Sequence, residues 1–161
     1  MKKLILKPYD KIIIALLGLI GLLTGCDFIH SPVAEYGVPY ADYEMKGTVT
    51  DSITSTPVQN IRVTVTRTQT YTEKDSTLTH TDTLTSKQTD TAGKYDLRFE
   101  YFPTDNLTFE IKTEDIDGQA NGGNFSTVKR QITFKNSELS GGKGWYNGKA
   151  VKTIDIKLKK K

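Results

Sequence analysis

From Tyr43 onward, apolar and polar side chains alternate with a period of two, and clusters of Gly, Pro, Asn, Asp and Ser interrupt the alternation about every eight to twelve residues. That period belongs to an extended chain, whose successive side chains point to opposite faces. A helix would need apolar residues three and four apart, and no segment offers a convincing set. The chain is therefore confined to sheets with one apolar face each, and such a face must be covered by another. The expectation is an all-β body of two antiparallel layers.

The rows can be read directly. Tyr43 to Asp51 predicts a first strand with Met45, Gly47 and Val49 on one face, and the stretch 52–60 with Pro57 is its connection to Ile61, Val63 and Val65. Tyr95, Leu97, Phe99 and Tyr101 alternate with Lys94, Asp96, Arg98 and Glu100, which marks a half-buried strand. Leu107, Phe109 and Ile111 form the next inward row, then Val128, Ile132 and Phe134, and finally Ile154, Ile156 and Leu158. At about 1.5 to 3 kcal/mol per fully buried side chain, these rows suffice for one core with little to spare.

Threonine occupies positions 64, 66, 68, 70 and 72, and again 77, 79, 81, 83 and 85. Two such runs joined by Glu73-Lys74-Asp75-Ser76 predict a long hairpin with one threonine face, where β-branching favours extension and hydroxyls pair across strands. Arg67, Gln69, Tyr71, His80 and Asp82 make the other face too polar for a core. The outer half should therefore project into solvent, either as a partner-facing arm or as a polar insertion between core strands.

The amino terminus follows different rules. Lys2, Lys3, Lys7 and Lys11 precede an apolar run from Ile12 to Leu23 that is too short for a stable membrane-crossing helix. The only cysteine, Cys26, follows directly in Leu23-Thr24-Gly25-Cys26. This arrangement resembles the bacterial lipobox. The resemblance implies cleavage after Gly25, acylation of Cys26 and a membrane anchor, so residues 1–25 are read as a lipoprotein signal peptide and 26–42 as a tether. Of 22 basic and 19 acidic residues, Lys2, Lys3, Lys7, Lys11 and Asp10 leave with the leader, which balances the remainder at 18 of each. A near-neutral body lacks the electrostatic footprint of a nucleic-acid binder. With Cys26 acylated, no thiol remains for a disulfide or a thiolate nucleophile.

Two further resemblances concern residues 43–161. Lys46-Gly47-Thr48-Val49, Pro57 with Ile61-Arg62-Val63-Thr64-Val65, and Asp90-Thr91-Ala92-Gly93-Lys94-Tyr95 resemble, in this order, the pattern of carboxypeptidase-regulatory-like domains. The implied fold is a seven-stranded Greek-key sandwich of the transthyretin or immunoglobulin kind, non-catalytic and accessory. Tyr36 to Lys46, Asp115-Ile116-Asp117-Gly118 with Asn121-Gly122-Gly123-Asn124-Phe125, and Gly144-Trp145-Tyr146-Asn147-Gly148 resemble small lipoproteins that accompany radical SAM enzymes in Gram-negative bacteria. That likeness implies a partner or substrate of a maturation system. The chain cannot be the radical enzyme itself, because no cysteines are left to hold an iron–sulfur cluster.

Candidate sites are few. Asp115, Asp117 and Asn121 gather oxygen ligands at a Gly-rich bend, as calcium loops do, although Thr113 and Asn124 replace the outer carboxylates of an EF-hand; the competing reading is an Asx-turn loop. Ser52, Ser76, Thr83 and Thr91 each follow an aspartate and precede a small or apolar residue or Thr, the pattern of a bacterial O-glycosylation acceptor. Trp145 and Tyr146 beside glycines could stack on a sugar or cap the sandwich. His30 and His80 are too far apart in sequence for metal-ligand spacing, and no nucleophile elbow or phosphate loop occurs. The sequence thus leads to a non-enzymatic, lipid-anchored envelope protein, on the periplasmic side of the outer membrane or at the cell surface, that binds or braces a partner.

Overall fold

The computed structural model describes Ile13, Leu16 and residues 37–161 other than 74–75. Contacts divide the chain into two units, Met1–Gly37 and Val38–Lys161. Of the first, Ile13 and Leu16 are helical and exposed. Cys26, the rest of the leader and the beginning of the tether lie outside the described residues.

The second unit is a β-sandwich, as the alternation requires. Its described strands are β1 (Tyr40–Asp51), β2 (Ile61–Glu73), β3 (Ser76–Gln88), β4 (Lys94–Tyr101), β5 (Asn106–Asp115), β6 (Val128–Lys135), β7 (Ser140–Lys143), β8 (Tyr146–Thr153) and β9 (Ile156–Leu158), with one 3-10 turn at Asn136–Glu138. One sheet runs β4-β1-β8-β7, with β9 continuing beside β1 where β8 ends; the other runs β3-β2-β5-β6. The chain crosses between sheets after β1, β3, β4 and β6.

The inward rows fall where alternation puts them. Tyr43, Met45, Val49, Ile61, Val63, Val65, Tyr95, Leu97, Leu107, Phe109, Ile111, Phe134, Ile156 and Leu158 are buried in one cluster. Phe99 and Tyr101 of β4 and Val128 and Ile132 of β6 are only partly buried, because those strands border their sheets. Around Phe109 the packing is aromatic, with the rings of Phe99, Tyr43, Tyr101 and Phe134 at centroid distances of 4.8, 5.6, 5.6 and 6.1 Å, all edge-on.

Three expectations need correction. Nine strands are described, not seven: β7 and β8 were unforeseen because Gly141, Gly142 and Gly148 leave no apolar alternation to read. The body is not wholly antiparallel, since β1 pairs in parallel with β8 and then with β9. Alternation records which face a side chain takes and is blind to the direction of the neighbouring strand. Finally, β1 begins at Tyr40, so residues 40–42 are strand and not tether; Ala41 is fully buried and Tyr40 N–H donates to Trp145 O at 3.0 Å.

The threonine hairpin forms, but Thr85 leaves its threonine face: the extra residue Leu84 sets Thr85 opposite the buried Val65. β2 and β3 pair from Arg62–Gln88 to Glu73–Ser76, with a bulge at Leu84 between the pairs Val65–Thr85 and Thr66–Thr83. Hydroxyls meet across strands at Thr68–Thr81 and Thr64–Ser86, both 3.0 Å. Pairing of β2 with β5 stops at Thr66, and beyond it the hairpin continues with no third strand paired to it among the described residues. Its polar face is not all solvated: the Arg67 guanidinium donates to Thr108 O and lies 6.0 Å from the Phe109 ring, and Gln69 Nε2 donates to Tyr101 Oη at 2.7 Å.

Candidate binding surfaces

The bend after β5 is closed by its own side chains. Asp115 Oδ1 accepts from the N–H groups of Asp117 (3.1 Å) and Gly118 (3.0 Å), while Oδ2 accepts from Phe125 N–H at 2.8 Å. Asn121 Nδ2 donates to Asp117 Oδ2, and Gln59 Nε2 donates to Asn121 Oδ1. All three proposed calcium ligands therefore have protein partners in this geometry, which is that of an Asx turn. Burial opposes ionisation of Asp115, but the three backbone N–H groups outweigh it and hold its carboxyl below the usual carboxylate range. Among the described residues, no three His, Cys, Asp or Glu side chains converge as a metal site would require. Asp115→Ala is expected to cost about 1–3 kcal/mol, because the Phe125 N–H and its buried ring lose their anchor; chemical denaturation measures it.

The four Asp-Ser/Thr positions differ in setting. Thr91 is exposed on a turn whose Asp90 Oδ1 accepts from Ala92 N–H (2.9 Å) and Lys94 N–H (2.8 Å). Gly93 completes that turn at φ +68°, where an added Cβ would stand 2.6 Å from Val49 O. Ser52 lies half-buried in the turn after β1, where Asp51 Oδ1 accepts from Ile53 N–H at 2.8 Å. Ser76 and Thr83 are exposed on β3, Ser76 beside the hairpin tip and Thr83 mid-strand.

Trp145 sits between β7 and β8 and is 38% exposed, so it does not cap the core. Tyr146 is half-buried, its ring 5.3 Å from that of Tyr40, and its hydroxyl donates to Asp42 Oδ2 at 2.9 Å. The Asp42 bond, then burial, raises the Tyr146 pKa.

Two features were not foreseen. Glu44, 3% exposed, lies among three cations: Lys149, Lys46 at 3.2 Å and Arg98 at 3.2 Å. The hydrogen bond from Lys149 is the main cause of its lowered pKa, with burial opposing and Lys46 and Arg98 assisting. Alternation sets Glu44 and Lys46 on one face of β1, but it does not reveal that β4 and β8 bring Arg98 and Lys149 alongside. Nearby, an open groove of about 580 Å³ runs between the base of β3 (Lys87, Gln88) and Lys46, Lys94, Asp96 and Asp155. At its floor Tyr95 Oη donates to Ile154 O at 2.6 Å.

These carboxylates set an acid limit. Glu44, Asp51, Asp115 and Glu138 all have pKa values lowered in the folded state. A group with a lowered folded pKa contributes stability above its unfolded value, and that contribution is lost as pH falls through the folded value. Unfolding free energy is thus expected to hold level near neutrality and to fall as the pH drops below roughly 4, with Glu44→Gln flattening the decline. Urea titrations at a series of pH values measure both.

No protein-family model matches the sequence, and no curated protein is significantly similar to it. Among solved structures, the C-terminal domain of the shaft pilin spaA from Lactobacillus rhamnosus GG is similar at 14% identity and a TM-score of 0.38, covering 74% of this chain and 98% of that one. An (S)-allantoin synthase is similar at 14% identity and a TM-score of 0.41, covering 94% of this chain and 52% of that one. A 9R-lipoxygenase from Cyanothece is similar at 17% identity and a TM-score of 0.34, covering 71% of this chain and 16% of that one.

Proposed function

We propose that this chain is a non-enzymatic envelope module, held at the outer membrane by an acylated Cys26, that binds or braces a partner through the β2–β3 arm. The observation that carries the reading is the arm itself. Beyond Thr66 its strand pairing with β5 ends, yet its two strands stay paired to Glu73–Ser76, and it holds Tyr71 and Leu78 in water at 55% and 62% exposure. An ordered protrusion that buries little of its own apolar surface suits recognition better than core building. The buried carboxylates Glu44 and Asp51 and the partly buried Asp115 are bound by cations or backbone N–H groups, which suits structural roles better than proton transfer. Native protein is expected to lack residues 1–25, to carry the mass of acyl chains and to partition into detergent. A product that retains its leader and stays in buffer would overturn the anchor, and an unexplained further mass would instead identify a substrate of a radical SAM maturation enzyme.

A second reading, carbohydrate binding, is favoured by the exposed Trp145, whose carbonyl accepts from Tyr40 N–H next to the Tyr40–Tyr146 ring pair. Trp145 is the only tryptophan, so its fluorescence reports on this surface alone. Envelope glycans should shift its emission, and an unchanged spectrum at millimolar sugar would exclude stacking there.

A further inference from the structure

β3 is an outer strand of the four-stranded sheet, bonded to β2 on one side. Among the described residues its other edge is unpaired; an edge of this kind is a template for another strand, and proteins ordinarily blunt it with Lys, Pro or a short length. β3 is 13 residues long, and between Ser76 and Ser86 it has neither Lys nor Pro.

The sequence of that edge is close to a palindrome. Ser-Thr-Leu-Thr-His-Thr-Asp-Thr-Leu-Thr-Ser, residues 76–86, reads alike in both directions about Thr81, except that His80 and Asp82 exchange. Alternating threonine alone would make the odd positions symmetric. It would not place Ser76 opposite Ser86, Leu78 opposite Leu84, or His80 opposite Asp82. The single departure from symmetry is thus a complementary pair of the kind that stabilises facing strands.

We infer that two copies of this chain associate edge to edge, β3 antiparallel to β3 about a two-fold axis at Thr81, joining their four-stranded sheets into one. Facing residues in an antiparallel ladder share a side of the sheet, so the threonine faces of the two copies would be continuous. The five central pairs, Thr79–Thr83 through Thr83–Thr79, fall on the part of β3 that runs regularly against β2. Each His80 meets the partner's Asp82, while within one chain His80 Nε2 already lies 2.8 Å from Asp82 Oδ1. The next pair outward sets Leu78 against the partner's Leu84 at its bulge. Leu84 packs on its own core, so the exposed Leu78, which faces Tyr71 across the hairpin, would extend the apolar cluster of the other copy. The two-fold symmetry makes the interface isologous and closed.

This inference rests on the arm being a recognition element and names its partner; it does not need the anchor. The test is sedimentation equilibrium of the full chain in density-matched detergent. The parent is expected to be a dimer. Thr81→Lys and Thr81→Glu each set like charges face to face on the axis and should weaken self-association roughly fivefold or more, and their mixture should restore pairing. Thr133→Lys is the matched control. It alters an exposed threonine on the opposite edge strand, β6, whose hydroxyl pairs with Thr108 at 2.7 Å much as Thr81 pairs with Thr68. A monomeric parent, a Thr81→Lys effect no larger than that of Thr133→Lys, or a mixture that does not pair would each overturn the inference. A monomer that still partitions into detergent leaves the anchor standing, so the two failures are distinguishable.

Discussion

Phe109→Ala is expected to remove about 3–5 kcal/mol of stability, a large share of the roughly 5–15 kcal/mol that a domain of this kind possesses. Phe109 is 0% exposed, and the rings of Tyr43, Phe99, Tyr101 and Phe134 all turn edges or faces toward it. These rings come from both sheets, so the cavity would open at the seam between the layers and not within one of them. The Arg67 guanidinium would lose its aromatic floor as well. Phe102, 54% exposed, is the control: Phe102→Ala should change stability by no more than about 0.5 kcal/mol. Urea unfolding of the two variants reads the difference, and a Phe109→Ala cost near that of Phe102→Ala would show that the layers do not meet as described.

Gly47→Ala should be comparably damaging, on the order of 3 kcal/mol, for a reason that involves no cavity. At Gly47 the neighbour of β1 changes from β8 to β9, and the connecting residues 154–155 press against it. Ile154 N–H donates to Lys46 O at 2.7 Å, and Thr48 N–H donates to Asp155 Oδ1 at 2.8 Å, one on each side of the glycine. A Cβ on Gly47 would stand 2.1 Å from Ile154 O, a backbone atom that cannot swing away. That same oxygen accepts the Tyr95 hydroxyl, and Tyr95 is the residue opposite Gly47 in the β1–β4 register. Burial, with Asp155 assisting, raises the Tyr95 pKa strongly, so the hydroxyl stays protonated and able to donate. Tyr95→Phe should cost about 1–3 kcal/mol by leaving Ile154 O unpaired. Because both substitutions act on one carbonyl, the double variant should lose clearly less than the sum of the two, which a double-mutant cycle measures.

The Gly47–Tyr95 pair also shows where reading the sequence succeeds and where it stops. Gly47 and Tyr95 stood out in separate motifs, each with a local role in a strand or a turn. The internal hydrogen bonds and positive φ of the Asp90-to-Gly93 turn are local, involving residues at most four apart, whereas the contact of Gly93 with Val49 is not. Nothing local says that Gly47 is small because Ile154 must pass over it. The Asp115 bend was legible as a cluster of oxygen atoms, but whether those oxygens face a cation or backbone N–H groups depends on where Phe125 and Gln59 return. Nothing near Glu44 in the sequence foretells that β4 and β8 bring Arg98 and Lys149 alongside it.

By itself the sequence determined that the body is all β, which side chains turn inward along β1, β2, β4 and β5, and that the threonine runs form a hairpin. All of these follow from alternation and turn chemistry, whose range is a few residues. Only the tertiary structure decided the parallel placement of β8 and β9 beside β1, the Gly-rich strands β7 and β8, and the contacts that hold Glu44 and Asp115 ionised. The reason is physical: a strand's own side chains encode its faces, whereas its neighbours are chosen by backbone hydrogen bonds that any residue except proline can make, so partner and direction are settled only when the whole core closes.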